Sequence, residues 1–502
     1  MLSLLGDHLL QRLQQQTEGA LYQRVFCCLR DAITAGVLAP KTRLPASRDL
    51  AKELQVSRNT ILNAYEQLQA QGYVEAITGS GTWVVEVLPE DYLNVPRNEV
   101  NPHHKHHLDL KALSQRGTVF LENAAASPYQ WGAFVPGIPD VTEFPHAEFS
   151  KIQLRLSRQP EVSRLIYSSD GGCLELKQAL AEYLQVARSV RCDADQILIT
   201  EGIHQAVDFI SRVLCDLDDH VWIEDPGYWG ARNILRMNGL NIHPMAVDHE
   251  GMIPDLNVPA PKLIFVTPSH QYPLGSHLSI SRRRQLLELA RIHKSWIIED
   301  DYDSEFRFSG QPFPSLQGLE ENTPVIYMGT FSKTIYPALR IGYMVVPKNL
   351  VTALKTISAE LYRGGHMLTQ RALAEFIQEG HYAAHIRRMR LLYTKRRAFL
   401  IELIERYLGS DFVHEYSHEA GLHLVLKLPE HVDDIAIAQL ALVRGVKVRP
   451  LSRYYHQASN STRGLLLGFA CVAEKEMLMA FSVLRQCLKE HQVFAQPDST
   501  GL

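Results

Sequence analysis

The chain has 502 residues, too many for one ordinary hydrophobic core, so at least two domains are expected. A hydrophobic fraction of 46%, a charged fraction of 21% and a formal net charge of −4 are typical of a soluble globular protein and exclude a uniformly basic nucleic-acid coat. The seven scattered cysteines indicate neither a disulfide framework nor a zinc site. The chain has no long apolar span and no basic signal region, so it is predicted to be cytoplasmic, without membrane contact.

Residues 1–86 are predicted to form the first domain. Apolar side chains recur at three- and four-residue spacing over residues 21–33, which indicates an amphipathic helix. Two shorter helices follow over residues 46–54 and 57–68, and Ser57 is a suitable N-terminal cap for the second. The short gap between these two helices is typical of a helix-turn-helix.

A β-hairpin completes the predicted winged helix. Residues 73–77 and 82–86 alternate between apolar and polar side chains around a glycine-rich turn. The third helix of such a fold enters the major groove of DNA, while flanking polar residues and the wing tip meet the phosphates. The predicted DNA-binding residues are Arg43, Ser47, Arg48, Ser57, Arg58, Asn59, Thr60, Gly79, Ser80 and Gly81. The alternative is a solvated helical bundle that serves protein contacts.

Residues 87–127 are predicted to be a linker, because prolines and polar residues break every periodicity there. Four histidines lie within residues 103–107, but they lack a carboxylate or thiol frame, so no metal site is predicted. A large domain is expected over residues 128–485, followed by a C-terminal tail over residues 486–502.

Short apolar runs that end in polar residues recur in the large domain, and they are typical of buried parallel strands. Residues 196–200 form one such run before a predicted helix, whose N-terminal amides can bind phosphate. Residues 295–303 form another run, which ends in acids and a tyrosine. A third run, over residues 325–328, leads into a hydroxyl-rich turn that presents Lys333.

The residues around Lys333 suit a phosphorylated carbonyl cofactor. Hydroxyls and a planar guanidinium that can hold a phosphate come from Thr330, Ser332 and Arg340. Because the carboxyl ends of parallel strands meet at one crevice, Asp300 and Tyr302 are expected beside Lys333. A lysine that forms a Schiff base, a carboxylate for the ring nitrogen and a phenol for the ring hydroxyl are the groups that pyridoxal phosphate requires.

Two strings of the sequence resemble a known family. Two motifs resemble the MocR branch of the GntR regulators: Glu-Asp-Asp-Tyr-Asp-Ser-Glu, which begins at Glu299, and Thr-Phe-Ser-Lys, which ends at Lys333. Residues 44–60 resemble the GntR winged helix. The resemblance spans nearly the whole chain. It implies a multidomain fold, with an α+β winged helix-turn-helix followed by a fold-type-I aminotransferase-like α/β domain whose sheet is mostly parallel and doubly wound.

The resemblance also implies a function. The protein is expected to be a bacterial transcription regulator rather than an enzyme, with pyridoxal phosphate in aldimine linkage to Lys333. Its signal would be pyridoxal phosphate itself or a small amine that replaces Lys333. Its other partners would be double-stranded DNA and a second copy of the chain in a homodimer.

Four further residues receive roles by this resemblance. Tyr228 would stack on the pyridine ring, the amides of Ile203 and His204 would hold the cofactor phosphate, and Tyr167 would reach the phosphate bound by the partner subunit. An irregular arm over residues 134–140 would help to form the substrate entrance. The alternatives are that Tyr228 is an ordinary buried tyrosine and that Tyr167 belongs to a capping loop.

The sequence departs from catalytic aminotransferases at two positions. Tyr272 stands where they usually carry an asparagine, and Leu466 stands where an arginine clamps the substrate carboxylate. Arg449 and Arg463 are the open candidates to substitute for that arginine. The alternatives to a regulator are therefore a working aminotransferase with an accessory DNA-binding domain, and a scaffold that has lost the cofactor.

Overall fold

The chain forms two compact units, Met1–Leu108 and Asp109–Leu502. The computed structural model describes residues 4–15, 19–77, 79–87, 113–124, 128–159, 161–162, 165–308, 313–414, 420–456 and 462–493. The histidine-rich segment and most of the predicted linker lie outside the described residues. No helix in the described ranges combines the length and apolar character needed to span a membrane.

The first unit contains the predicted helices and hairpin, preceded by one helix that was not predicted. Its elements are α1 (Leu4–Gln15), α2 (Leu21–Thr34), α3 (Ser47–Glu53), α4 (Arg58–Ala70), β1 (Val74–Ile77) and β2 (Gly81–Val84). Val25 and Leu29 of α2 pack against Ile61 and Leu68 of α4 in a fully buried core. The predicted cap is present, since Ser57 Oγ accepts the Thr60 amide at 3.1 Å.

An eight-stranded sheet organises the second unit, in the order β3-β10-β9-β8-β7-β4-β5-β6. Its strands are β3 (Ile197–Thr200), β4 (His220–Asp225), β5 (Asn241–Asp248), β6 (Gly251–Met252), β7 (Leu263–Val266), β8 (Trp296–Asp301), β9 (Val325–Thr330) and β10 (Gly342–Val345). Strands β5, β4, β7, β8 and β9 pair in parallel, whereas β10 is antiparallel to both β9 and β3. The mostly parallel sheet predicted from the sequence is confirmed.

Helices cover this sheet, and a second small sheet lies near the C terminus. The helices are α5 (Gln115–Glu122), α6 (His146–Ser157), α7 (Leu174–Arg188), α8 (Ile203–Leu214), α9 (Trp229–Met237), α10 (Ile280–His293), α11 (Val351–Tyr362), α12 (Met367–Gln378), α13 (His381–Tyr407), α14 (Asp434–Val443) and α15 (Glu474–Glu490). The antiparallel strands β11 (His423–Lys427), β12 (Arg449–Pro450) and β13 (Gly464–Gly468) pair in the order β11-β13-β12.

Two helices lie inside or across the predicted segment boundaries. Helix α5 lies inside the predicted linker, where Ser114 Oγ caps it by accepting the Gly117 amide at 3.1 Å. The chain just after α5 is held on α9, because Asn233 donates to the Asn123 carbonyl at 2.8 Å. At the other end, α15 continues to Glu490, past the expected domain end at 485, because Leu484, Cys487 and Leu488 remain in its buried face.

The sheet topology positions the candidate site. Because β3 and β9 are both antiparallel to β10, they run in the same direction as the parallel strands. The carboxyl ends of β3, β4, β7, β8 and β9 therefore lie along one edge of the sheet. Several predicted cofactor residues lie at or shortly after these strand ends, namely Ile203 and His204 after β3, Tyr228 after β4, Asp300 and Tyr302 at the end of β8, and Thr330, Ser332 and Lys333 at the end of β9.

Candidate cofactor site and nucleic-acid interface

Lys333 lies in the turn after β9 and is half-buried. Its Nζ donates to the carbonyl of Gly137 at 2.8 Å, so the predicted arm closes over the lysine. Burial lowers the pKa of Lys333, and the charges of Asp303 and Asp300 oppose this effect. Gly137 has a φ of +70°, and an added Cβ would lie 3.1 Å from Nζ, so a glycine fits this close approach.

Asp300 and Asp301 are adjacent at the end of β8, yet their environments differ. Asp301 accepts from Arg188 Nε at 2.7 Å and from the Tyr327 hydroxyl at 2.5 Å. Asp300 is 4% exposed, and its Oδ1 has no hydrogen-bond partner within the described residues. Burial, and after it the charge of Asp301, raise the pKa of Asp300 to about 8, although the charge of Lys333 opposes the rise. A buried carboxylate oxygen without a donor fits a ligand that carries an N–H group.

The N terminus of α8 forms the candidate phosphate region. Gly202 precedes α8 with a φ of +96°, and the amides of Ile203 and His204 belong to the first turn, which has no helical acceptor. A Cβ added to Gly202 would lie 3.4 Å from Arg340 Nη1, so the guanidinium adjoins this helix terminus. In the turn before Lys333, Thr330 Oγ1 accepts the Ser332 amide at 3.1 Å.

Tyr228 caps the start of α9 and contacts the same region. Its hydroxyl lies 2.6 Å from His204 Nε2, and its ring meets Tyr272 edge-on at 5.8 Å. Burial lowers the pKa of His204, and the charges of Arg340 and Lys333 lower it further, so a neutral imidazole is favoured. The structure thus places Tyr228 and His204 together.

Tyr302 belongs to a buried polar cluster that was not predicted. Its hydroxyl lies 2.8 Å from His270 Nδ1, which is 3.1 Å from both carboxylate oxygens of Asp303. Tyr272 packs edge-on against Tyr302 at 5.6 Å, and its hydroxyl lies 3.1 Å from that of Tyr454. Thr267 directly follows β7, and His270 lies three residues further on. This position shortly after the carboxyl end of a buried strand is the sequence feature that could have predicted His270 as a site residue.

The position predicted to match the carboxylate-binding arginine of aminotransferases is apolar. Leu466 is fully buried in β13, packed in a small cluster with Leu274. Arg463 lies 3.6 Å from the buried Asp434, so its charge is already paired. Arg449 stands directly opposite Leu466 in the β12–β13 ladder, and its charge lowers the pKa values of Tyr272 and Tyr454 against the larger effect of burial. Arg449 is therefore the better placed of the two substitutes.

Tyr167 does not join this cluster in its own subunit. Its side chain is 76% exposed, and the Arg363 guanidinium lies 5.3 Å from the centre of its ring. Its role toward a partner subunit stays a prediction.

The predicted DNA-binding residues lie on the surface of the first unit. Arg58 and Asn59 are exposed at the N terminus of α4, and Arg58 Nε donates to Ser47 Oγ at 3.4 Å across the helix-turn-helix. Ser57 and Thr60 hydroxyls lie 2.8 Å apart. The exposed residue Arg48 follows Ser47 on α3.

The wing is narrow and carries its own arginine. Arg43 forms an isolated bridge with Trp83 of β2, and a Cβ added to Gly81 would lie 2.8 Å from Arg43 Nε. Gly79 and Gly81 both have positive φ angles, and the Ser80 amide closes the turn by donating to Ile77 at 2.9 Å. The wing tip therefore has room for a close approach to a phosphate backbone.

Comparisons with known proteins agree with this division. Residues 149–482 match the family described as aminotransferase class I and II, and residues 21–84 match that of bacterial regulatory proteins, gntR family. The chain is 38% identical over 479 residues to the probable rhizopine catabolism regulatory protein MocR of Rhizobium meliloti, covering 94% of each chain. It is 30% identical over 446 residues to the pyridoxine biosynthesis regulator PdxR of Corynebacterium glutamicum, covering 88% of this chain and 90% of the relative.

Solved structures share the fold of the second unit. The multiple substrate aminotransferase of Thermococcus profundus superposes with a TM-score of 0.67 at 24% identity, over 76% of this chain and 98% of that one. The Pyrococcus horikoshii kynurenine aminotransferase gives the same values. At this identity the likeness establishes the fold alone.

Proposed function

The chain belongs to the MocR subfamily of the GntR regulators, which joins a DNA-binding winged helix to an aminotransferase-like domain, and from this premise we propose that it senses pyridoxal phosphate or an amine through Lys333. The proposed output is altered binding to DNA. The chain is proposed to act as a homodimer, which would present two copies of α4 to a repeated or palindromic site.

One observation carries the cofactor assignment: Asp300 Oδ1 is buried without a hydrogen-bond partner among the described residues, and the charge of Lys333 acts on the same carboxylate. Pyridoxal phosphate, when bound, supplies an aldehyde that reacts reversibly with a primary amine, and a ring nitrogen that carries a proton. Asp300 would hold the proton of that nitrogen, and the lowered pKa of Lys333 favours the neutral, nucleophilic amine.

The remaining predicted residues would hold the other parts of the cofactor. Tyr228 would stack on the ring, and Tyr302 would contact the ring hydroxyl. The phosphate would be held by the amides of Ile203 and His204 and by side chains of Thr330, Ser332, Arg340 and, from the partner subunit, Tyr167.

The arm provides a physical means of sensing. Lys333 Nζ donates to the carbonyl of Gly137 at 2.8 Å, and a lysine engaged by the cofactor would lose that contact. An amine that displaces Lys333 would restore it, so the arm over residues 134–140 would differ between the two states. Such a difference changes DNA affinity only if the two arrangements bind DNA unequally.

The alternative of an active aminotransferase is disfavoured by Leu466. A buried leucine cannot clamp a substrate carboxylate, and Arg449 would have to do so from the neighbouring strand. Transfer of an amino group from an amino acid to a keto acid by the purified protein would revive this alternative.

The cofactor proposal is tested by titrating the purified protein with pyridoxal phosphate and recording the near-visible absorbance of the lysine-bound form. The wild type and the control variant Lys395→Ala, an exposed lysine on α13, should give this absorbance, and Lys333→Ala should not. An unchanged spectrum in Lys333→Ala would refute the assignment. A DNA-binding titration on the gene's own upstream region, with and without pyridoxal phosphate, then separates a cofactor sensor from an amine sensor.

A further inference from the structure

We propose that Asp303 and His270 position the proton of Tyr302, so that the Tyr302 hydroxyl acts as a hydrogen-bond donor toward the cofactor's ring oxygen. This inference rests on the proposed function, because it concerns how the chain holds pyridoxal phosphate. Asp303 and His270 are positioning residues, since they act through Tyr302 rather than on the cofactor itself.

The geometry joins the three side chains in a row. His270 is 3% exposed and Asp303 is 1% exposed, so both polar groups are removed from water. A single atom, His270 Nδ1, lies 2.8 Å from the Tyr302 hydroxyl and 3.1 Å from each oxygen of Asp303. Nδ1 therefore has two competing partners, and its protonation decides what the phenol can do.

The carboxylate resolves this competition. A buried carboxylate requires a donor, and Nδ1–H is a donor within reach of both its oxygens. With the hydrogen on Nδ1, the imidazole cannot accept the phenol proton at that atom. The Tyr302 hydrogen is then directed elsewhere, and the cofactor's ring oxygen is the acceptor proposed for it. Without the charge of Asp303, the phenol could donate to Nδ1 and would offer the cofactor only an acceptor.

Neighbouring residues hold the imidazole of His270 in place and limit which other groups could replace it as the partner of Tyr302. Gly421 has a φ of +89°, and an added Cβ would lie 2.0 Å from His270 Cε1, so the glycine allows the chain before β11 to press against the ring. His423, on β11, engages the Pro273 carbonyl through Nε2 at 2.9 Å, and burial lowers its pKa to about 4, which keeps it neutral. Tyr272 is engaged with Tyr454.

Charged groups also face this cluster. Burial raises the pKa of Tyr302 well above its usual value, and the charges of Asp303, Asp300 and Glu224 add to the effect, so the phenol keeps its proton. Lys333, when protonated, lowers the pKa values of Asp300 and His423. Because Tyr302 remains protonated, the direction of its hydrogen, rather than its ionisation, is what the pair controls.

The test is the pH midpoint at which the absorbance of the lysine-bound cofactor changes. A donor to the ring oxygen stabilises the form in which that oxygen is negative, so loss of the donor should raise the midpoint by about one to two pH units. Tyr302→Phe should show this rise, and His270→Leu should show it too, because the Asp303 carboxylate would then have the phenol as its donor. His270→Asn, which keeps an N–H donor near the position of Nδ1, should retain the wild-type midpoint.

A double variant separates positioning from simple structural damage. If His270 acts through the phenol, Tyr302→Phe/His270→Leu should have the midpoint of Tyr302→Phe alone. Additive shifts, an unshifted His270→Leu midpoint, or failure of His270→Asn to differ from His270→Leu would overturn the proposal. Loss of all near-visible absorbance in the wild type would instead refute the proposed function.

Discussion

Replacement of Asp300 by asparagine should change ligand-free stability and cofactor affinity in opposite directions. Its Oδ1 atom is buried without a hydrogen-bond partner in the part of the chain that the structure describes, and its carboxyl has a pKa of about 8 instead of 3.8. The folded state thus binds this proton more tightly than the unfolded chain. The stabilisation that results is complete below the unfolded pKa and is lost as the pH rises through the folded pKa.

The magnitude follows from this linkage. Between about pH 5 and pH 7, this carboxyl should lower the free energy of unfolding of the ligand-free wild type by up to about 1.4 kcal/mol per pH unit. Asp300→Asn removes that slope, so the variant should match the wild type at about pH 4 and below and exceed it at pH 8. The cofactor should bind the variant about 10- to 100-fold more weakly, because one charge-assisted hydrogen bond contributes about 1.5–3 kcal/mol.

The assay is urea unfolding of the ligand-free protein at several pH values, combined with absorbance titration of pyridoxal phosphate. Asp301→Asn is the matched control, because that neighbour is paired with Arg188 at 2.7 Å, and its loss leaves a buried guanidinium uncompensated. The control should lose about 3–5 kcal/mol of stability. A less stable Asp300→Asn protein at pH 8, or unchanged cofactor affinity, would refute the reasoning.

Two further predictions concern the ends of α4 and α8. Arg58→Ala should weaken binding to operator DNA by about 1–3 kcal/mol if the side chain reads a base. Fluorescence anisotropy at fixed salt measures this change, and Lys475→Ala, which replaces an exposed lysine, is the control. Wild-type affinity in Arg58→Ala would show that Arg58 is not part of the DNA interface. Gly202→Ala adds a Cβ at a φ of +96° beside Arg340, so this variant should bind the cofactor more weakly and also be less stable. The control Gly380→Ala adds a Cβ at a φ of +81° with open space around it, so it should be less stable but bind the cofactor as the wild type does. Equal cofactor affinities would show that the N terminus of α8 does not hold the phosphate.

Local sequence patterns determined most of the fold. The three-residue periodicity of α2, the Ser57 cap and the alternation around the wing predicted the winged helix, because each is a short-range property of the chain. The apolar runs of β8 and β9 predicted buried parallel strands for a similar reason. Helix α5 escaped prediction because its stability depends on docking against α9, which pattern alone does not encode.

The sequence by itself therefore determined the two-domain architecture and the presence of Lys333, Asp300 and Arg340 in the right order. Only the tertiary structure decided which of the adjacent residues Asp300 and Asp301 forms the ion pair with Arg188. Successive side chains of a strand point to opposite faces, so Asp301 meets Arg188 from α7, whereas Asp300 faces the edge that holds Lys333. His270 contacts Asp303, and Arg449 stands opposite Leu466. Each pair joins different segments of the sequence, so its contact depends on how the strands are arranged and in which register they pair.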